Sequence, residues 1–190
     1  MAAYKFHHSA HHRLSGEDRR HMLPVRRVLK ALEPLAGLTI IDVGCGKGYF
    51  ALPFALAVGP EGHVHAVDTS REMLALLQEA VAGASNLTPV LSQETAIPLE
   101  DGSGDILFTS TVYHEFEDRP GMLREMQRLA CPGARHVVID WNRHSGEYGP
   151  PLEHRIGEET VVVEYGALGM ELMGRFQPGP NFYGLIFAQG

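Results

Sequence analysis

The chain has 190 residues, 44% hydrophobic and 21% charged, which is the composition of an ordinary globular protein, not a disordered or fibrous one. Its 16 Lys and Arg against 23 Asp and Glu give a net charge of −7 at pH 7, which argues against a general binder of phosphate backbones. No apolar run approaches the roughly 18 residues of a membrane span, no secretory leader pattern opens the sequence, and Cys45 and Cys131 cannot build a disulfide framework. These features lead to the expectation of a cytoplasmic protein that handles a small molecule, with no nucleic-acid partner, no membrane span, and a homodimer as an assembly open to it.

Residues 1–23 carry Tyr4, Phe6 and five histidines without a sustained apolar period, and they read as an arm with short helical pieces that can cap a cleft; residues 24–190 read as a single domain. His7/His11 and His8/His12 have the i,i+4 spacing of helical metal ligands, but no Cys or Asp accompanies them, and no metal is expected. Val25, Val28, Leu29 and Leu32 mark one helical face, which Pro34 ends.

Strands and helices then alternate. The run 38–43 (LTIIDV) predicts a strand buried on both faces, 44–48 a glycine loop, and 49–58 a helix closed by Gly59-Pro60. A second strand over 63–67 ends at Asp68, and a helix follows over 71–82. Strands are expected at 88–91, 105–109 and 136–140, with a helix over 120–129 closed by Cys131-Pro132-Gly133. Residues 158–168 read as a helix, although Val161-Val162-Val163 leaves a strand open, and a hairpin over 171–176 and 182–188 closes the chain. The alternation predicts an α/β fold, a Rossmann-like, doubly wound, mostly parallel seven-stranded sheet with an antiparallel C-terminal hairpin.

Glycines at a strand–helix junction bring a ligand close to bare N–H groups. A phosphate-binding P-loop needs Lys followed by Ser or Thr, but Gly48 follows Lys47. A dinucleotide fingerprint starting at Gly44 and Gly46 needs a third glycine where Tyr49 stands. Asp42, two residues before Gly44, would repel a pyrophosphate and suit the cationic end of S-adenosylmethionine; one such contact at 4 Å is worth about 4 kcal/mol before desolvation. Asp68 at the end of the second strand suits ribose hydroxyls, a feature of both nicotinamide and S-adenosylmethionine sites.

In Ile41-Asp42-Val43-Gly44-Cys45-Gly46-Lys47-Gly48, in His65-Ala66-Val67-Asp68 with Glu72-Met73-Leu74, and in 96–105 (AIPLEDGSGD), the sequence resembles the class I S-adenosylmethionine-dependent methyltransferases, and within them the small-molecule branch of quinone biosynthesis. The resemblance implies that Gly44, Cys45, Gly46 and Gly48 wrap the methionine end of S-adenosyl-L-methionine, with Asp42 nearby. It further implies that Asp68 holds the ribose, that Thr69 and Met73 lie along the adenosine, that Gln93 or Glu94 meets the adenine, and that Thr109 borders the cofactor. The product would be S-adenosyl-L-homocysteine. Lys47 departs from the small or hydroxyl residue common at its position, and Gln93-Glu94 from the family's frequent Asp-Ala.

The acceptor belongs beyond the ends of the fourth and fifth strands. His114 is the candidate base there, with a reference pKa of about 6.5; its alternative is packing beside Tyr113 and Phe116. Tyr113 and Trp141 would line an acceptor pocket, and His154 and Arg155 would meet an anionic acceptor or merely decorate a proline-stiffened connection. The reading is a methyltransferase; an NAD(P)-dependent oxidoreductase and a catalytically silent S-adenosylmethionine-binding domain are the alternatives.

Overall fold

A run of apolar, β-branched residues such as 38–43 needs sheet neighbours on both edges and helices on both faces. The computed structural model describes residues 17–81, 83–144 and 148–190. In chain order the elements are α1 (Glu17–Met22), α2 (Val25–Leu32), β1 (Thr39–Val43), α3 (Ala51–Val58), β2 (His63–Asp68), α4 (Arg71–Ala80), β3 (Leu87–Leu91), β4 (Gly104–Ser110), α5 (Arg119–Leu129), β5 (Ala130–Trp141), α6 (Glu158–Gly166), β6 (Met170–Phe176) and β7 (Phe182–Gln189), with single 3₁₀ turns at Tyr113–Glu115 and Leu152–His154.

The seven strands form one sheet in the order β3-β2-β1-β4-β5-β7-β6. β1 to β5 pair in parallel, and β7 inserts antiparallel between β5 and β6, so the hairpin contributes one inner and one edge strand. The strand order reverses between β1 and β4, the place where an open sheet leaves a crevice at its carboxyl edge.

The period of two along the strands sorts the core. Ile40, Ile106, Phe108, Val137 and Ile139 pack against Val28 and Leu32 of α2, Phe54 and Val58 of α3, and Leu74 and Leu77 of α4. Ile41, Leu107, Val138, Leu185 and Phe187 face the other way, onto Met122, Leu123, Met126 and Leu129 of α5 and Val161 and Tyr165 of α6. The triple valine is therefore helical because Val161 and Tyr165 are both fully buried, while Val163 is 71% exposed on the far side.

The structure departs from the sequence reading at several boundaries, among them the end of α6, at Gly166 where 168 was expected. The helix expected from Tyr49 starts at Ala51, because the glycine loop keeps Tyr49 and Phe50 in its own turn. The helix expected over 71–82 covers Arg71–Ala80, and position 82 lies outside the described residues. The largest departure is β5, which begins at Ala130, directly on the end of α5, so Cys131-Pro132-Gly133 is strand and not a closing turn. Gly133 at φ +83° and a register shift opposite Gly104/Ile106 absorb the irregularity that Pro132 imposes.

Phe108 sits at the centre of the first core, with ring centroids 5.0 Å from Phe50 and 4.8 Å from Phe54 in edge-to-face contact. Phe108→Ala is expected to cost about 3–5 kcal/mol in chemical denaturation, through lost burial plus the cavity between α3 and β4.

Candidate active site

Past Val43 the chain must turn back over the sheet in five residues, and the glycines make that turn. Gly44 adopts φ +78°, and a Cβ there would lie 2.7 Å from the Val112 side chain. Gly48 adopts φ +89°, and a Cβ there would lie 2.5 Å from Leu77. Left-handed backbone and close approach thus both require glycine at these positions. The loop is tied to the next strand by bonds from the Gly44 and Cys45 N–H groups to the Val67 carbonyl, at 2.8 and 3.0 Å.

Asp68 completes the tie. Its Oδ2 accepts the Gly46 N–H at 2.8 Å and its Oδ1 the Ser70 N–H at 2.8 Å, while the Ser70 hydroxyl caps α4 by accepting from Met73 N at 3.2 Å. One carboxylate therefore fixes both ligand-facing loops relative to each other.

These loops border a cleft of about 1250 Å³ at the carboxyl ends of β1, β2 and β4. Gly44, Cys45, Gly46, Gly48, Asp68, Thr69, Met73, Gln93 and Glu94 all line it, so the structure brings together nine of the residues expected at the cofactor, and Lys47, which was not among those expected, lines it as well. Glu94 also accepts the Glu117 N–H, linking the segment after β3 to the one after β4.

Asp42 is placed differently. It is 2% exposed and does not form part of the wall; it lies behind the glycine loop, where the Ala51 N–H donates to it. Burial pushes its carboxyl up to about 7, neighbouring Asp68 adds to the rise, and Arg19 opposes it. The acidic groups in the wall itself are Asp68, Glu94 and Glu115. Thr109 is likewise behind the wall, fully buried, and its successors Ser110 and Thr111 form the surface. Ser110 Oγ is buried with no hydrogen-bond partner among the described residues.

The residues expected at the acceptor lie outside the wall. His114 is 6% exposed, with Nδ1 at 2.8 Å from Asp140 Oδ1 and its backbone N–H donating to Asp140 Oδ2 at 3.0 Å. Burial lowers the pKa of this imidazole, but the Asp140 carboxylate and Glu115 outweigh burial and hold it above its ordinary value. Its Nε2 lies 3.8 Å from Glu115 Oε1, so Glu115 and not His114 presents a titratable group to the cleft.

Tyr113 is fully buried and donates its hydroxyl to Glu164. Trp141 packs on Phe182 with ring centroids 4.3 Å apart and the planes tilted by 43°. Arg155 is buried against Trp141 and donates to the carbonyls of Pro150, Asn142, His144 and Tyr148, so it staples the connection after β5 and does not face an anion. His154 stands half-buried on the adjacent 3₁₀ turn, also away from the wall.

Three contributions escaped the sequence reading. Arg19 and Arg20 of α1 and Val25 and Arg26 of α2 reach the cleft, with the Arg19 guanidinium 4.5 Å from the Tyr49 ring centre and its Nη2 donating to Thr111 Oγ1 at 3.3 Å. Thr111 is the non-glycine residue at φ +59°, a strained turn that aims its hydroxyl at Arg19. Val112, Phe116 and Met122 give the wall an apolar stretch. A six-residue helix in a His- and Arg-rich segment has no periodic signal, which is why the sequence suggests short helical pieces in the arm but neither the bounds of α1 nor the role of its arginines. His7, His8, His11 and His12, with the rest of the arm's first sixteen residues, lie outside the described residues. Among the described residues no group of three or more His, Cys, Asp or Glu is arranged to hold a metal ion, and no helix is long and apolar enough to cross a membrane.

Residues 41–138 match the methyltransferase domain family. Over 154 residues the chain is 34% identical to an uncharacterized 37.1 kDa transposon protein of Streptomyces fradiae, covering 76% of this chain and 44% of that protein. Over 114 residues it is 33% identical to a demethylmenaquinone methyltransferase of Shouchella clausii, covering 59% of this chain and 48% of the relative. The chain spans about half the length of these curated relatives. A crystal structure of a SAM-dependent methyltransferase from Aquifex aeolicus has a TM-score of 0.92 at 29% identity, covering 98% of this chain and 100% of that one.

The turn at Gly44 supplies a direct test of the loop. Gly44→Ala is expected to lose about 1–2 kcal/mol in thermal or chemical unfolding from the left-handed backbone alone, with the Val112 clash added. Adding Val112→Ala should recover the steric part and leave the backbone part, a non-additive pair read by a double-mutant cycle.

Proposed function

This chain belongs to the methyltransferase domain family, and we propose that it transfers the methyl group of S-adenosylmethionine to a small-molecule acceptor, releasing S-adenosylhomocysteine. The observation that carries the reading is the Asp68 tie between the glycine loop and the N-terminus of α4, at the switch point of the sheet and in the wall of a cleft large enough for an adenosine and an acceptor.

The residues present fit the donor. Asp68 accepts a backbone N–H on each oxygen and, as a carboxylate in the cleft wall, would also meet the two ribose hydroxyls. Thr69 and Met73 line the cleft where they would flank the adenosine, and Gln93 and Glu94 where they would meet the adenine. The close backbone at Gly44–Gly48 receives the methionine end, with the Asp42 carboxyl behind it. Ser110 Oγ, buried without a protein partner among the described residues, is available to the same end.

When bound, the donor supplies an electrophilic methyl carbon: the acceptor's lone pair forms the new bond as the carbon–sulfur bond breaks, and that electron pair stays on sulfur. The protein's part is alignment and exclusion of water. Val112, Phe116 and Met122 receive an apolar acceptor body, and the demethylmenaquinone methyltransferase relative supports a quinone-type one. Glu115 stands beside that body, and His114 and Asp140 position it from behind. His114 thus acts through Glu115. A cytoplasmic enzyme without a nucleic-acid partner is part of the same reading, and the acidic balance of the chain supports the absence of a nucleic-acid partner.

A pyrophosphate dinucleotide fits poorly, because Asp68 and Glu94 face the cleft and Tyr49 occupies the third-glycine position. A silent binding domain differs only in turnover. Calorimetric titration should therefore give saturable binding of S-adenosylmethionine and S-adenosylhomocysteine and none of NAD, and S-adenosylhomocysteine release with a metabolite extract should mark catalysis. NAD binding in their place would overturn the reading.

The raised Asp42 pKa adds a signed expectation. Below about pH 7 the carboxyl is largely protonated, and the cationic donor favours its ionised form, so binding releases a proton. Donor affinity should rise, by up to about tenfold, between pH 6 and 8 and flatten above. Asp42→Asn should bind more weakly at pH 8 and lose most of the pH dependence in the same titrations.

A further inference from the structure

In a chain of net charge −7, the cleft wall carries four cations, Arg19, Arg20, Arg26 and Lys47, against three carboxylates. Asp68, Glu94 and Lys47 belong to the strand-end loops, whereas the three arginines come from α1 and α2, with Arg19 held between Tyr49 of the glycine loop and Thr111 and electrostatically coupled to the buried Asp42. Among the described residues none of the four cations has an ion-pair partner.

Arg19 is the one built into the site. Its guanidinium is held over the Tyr49 ring at 4.5 Å and bonded to Thr111 Oγ1 at 3.3 Å, and Tyr49 in turn donates its hydroxyl to the Leu23 carbonyl at 2.7 Å, locking α1 to the glycine loop. Its Nε is buried with no partner among the described residues. A buried N–H of a guanidinium that is already oriented by two other contacts is a donor waiting for an acceptor atom. Burial lowers the pKa of this group to about 10, so it remains a cation at neutral pH. The donor brings a sulfonium and an ammonium to a site where Asp42 is the buried counter-charge of Arg19, so an anionic second ligand would add the balance that this further cation favours.

We propose that the methyl acceptor is a small organic oxyanion, a carboxylate or an acidic phenolate, received by Arg19 on the α1 side of the cleft. This rests on the donor reading above and adds the chemical class of the second substrate. It moves acceptor recognition from Arg155, whose donors are taken up by four carbonyls, to an arginine delivered by the N-terminal helix. Arg20 and Arg26 extend the positive side toward the mouth and would speed capture of the anion at low salt.

The same carboxylate chemistry is present in the donor's own methionine portion, and the experiment separates the two. Matched pairs of 2-naphthoate with 2-naphthamide, 4-hydroxybenzoate with 4-hydroxybenzamide, and benzoate with benzamide are titrated into protein saturated with S-adenosylhomocysteine. The proposal expects at least one carboxylate to bind about tenfold or more tightly than its amide. It expects Arg19→Gln to abolish that preference and Arg19→Lys to keep part of it, each measured on protein held saturated with S-adenosylhomocysteine. The wild-type comparison stands even if Arg19→Gln fails to fold.

No carboxylate preference across the panel, or a preference that survives in Arg19→Gln, would overturn the proposal. So would an Arg19→Gln variant that weakens S-adenosylhomocysteine but not 5′-methylthioadenosine, which lacks the amino-acid portion, because Arg19 would then serve the donor. Failure of the wild type to bind S-adenosylhomocysteine at all would instead bring down the donor reading, and this inference with it.

Discussion

Two hydrogen bonds to one carboxylate hold the site together. Asp68 accepts from Gly46 N–H and from Ser70 N–H, both at 2.8 Å, and these two donors belong to loops that leave different strands. Charge-assisted bonds of this kind are about twice as strong as neutral ones, and here they also decide geometry. They join the glycine loop to the start of α4 in the wall of the cleft, which Arg19, Thr111 and Glu115 also line.

The sheet and its order of elements were legible in the sequence because the periodic pattern is strong where burial is two-sided. Ile40 and Ile41 feed opposite cores, as a strand with helices on both faces requires. The glycine loop was legible for a local reason as well, since Gly44 and Gly48 stand where no side chain fits. The start of β5 was not, because Pro132 and Gly133 carry the local chemistry of a turn. Pairing with β4 overrides it through a register shift, a tertiary effect that no window of sequence contains.

The acidic residue before the glycine loop shows how a correct residue can enter an incomplete argument. Sequence position places Asp42 near the mouth, and the structure places it near the mouth but beneath it, where burial and Asp68 keep its charge only half expressed around neutral pH. Likewise His114 is adjacent to the wall without being in it, bound to Asp140 and set behind Glu115. Whether a side chain on a strand end faces the cleft or the layer behind it depends on the turn that follows. At residues 110–112 that turn includes the positive φ of Thr111, which propensity does not foretell. Arg19 was missed for the opposite reason: its helix is short, and its role comes from contacts with Tyr49 and Thr111, distant in sequence.

A crystal structure of the protein with S-adenosylhomocysteine tests the account most directly. It should show the ribose hydroxyls on Asp68 with both backbone bonds, from Gly46 and from Ser70, still in place, and the thioether sulfur above the gap between β1 and β4. A carboxylate of Asp68 turned away from either N–H to reach the ribose, or a nucleoside lying outside that gap, would contradict it.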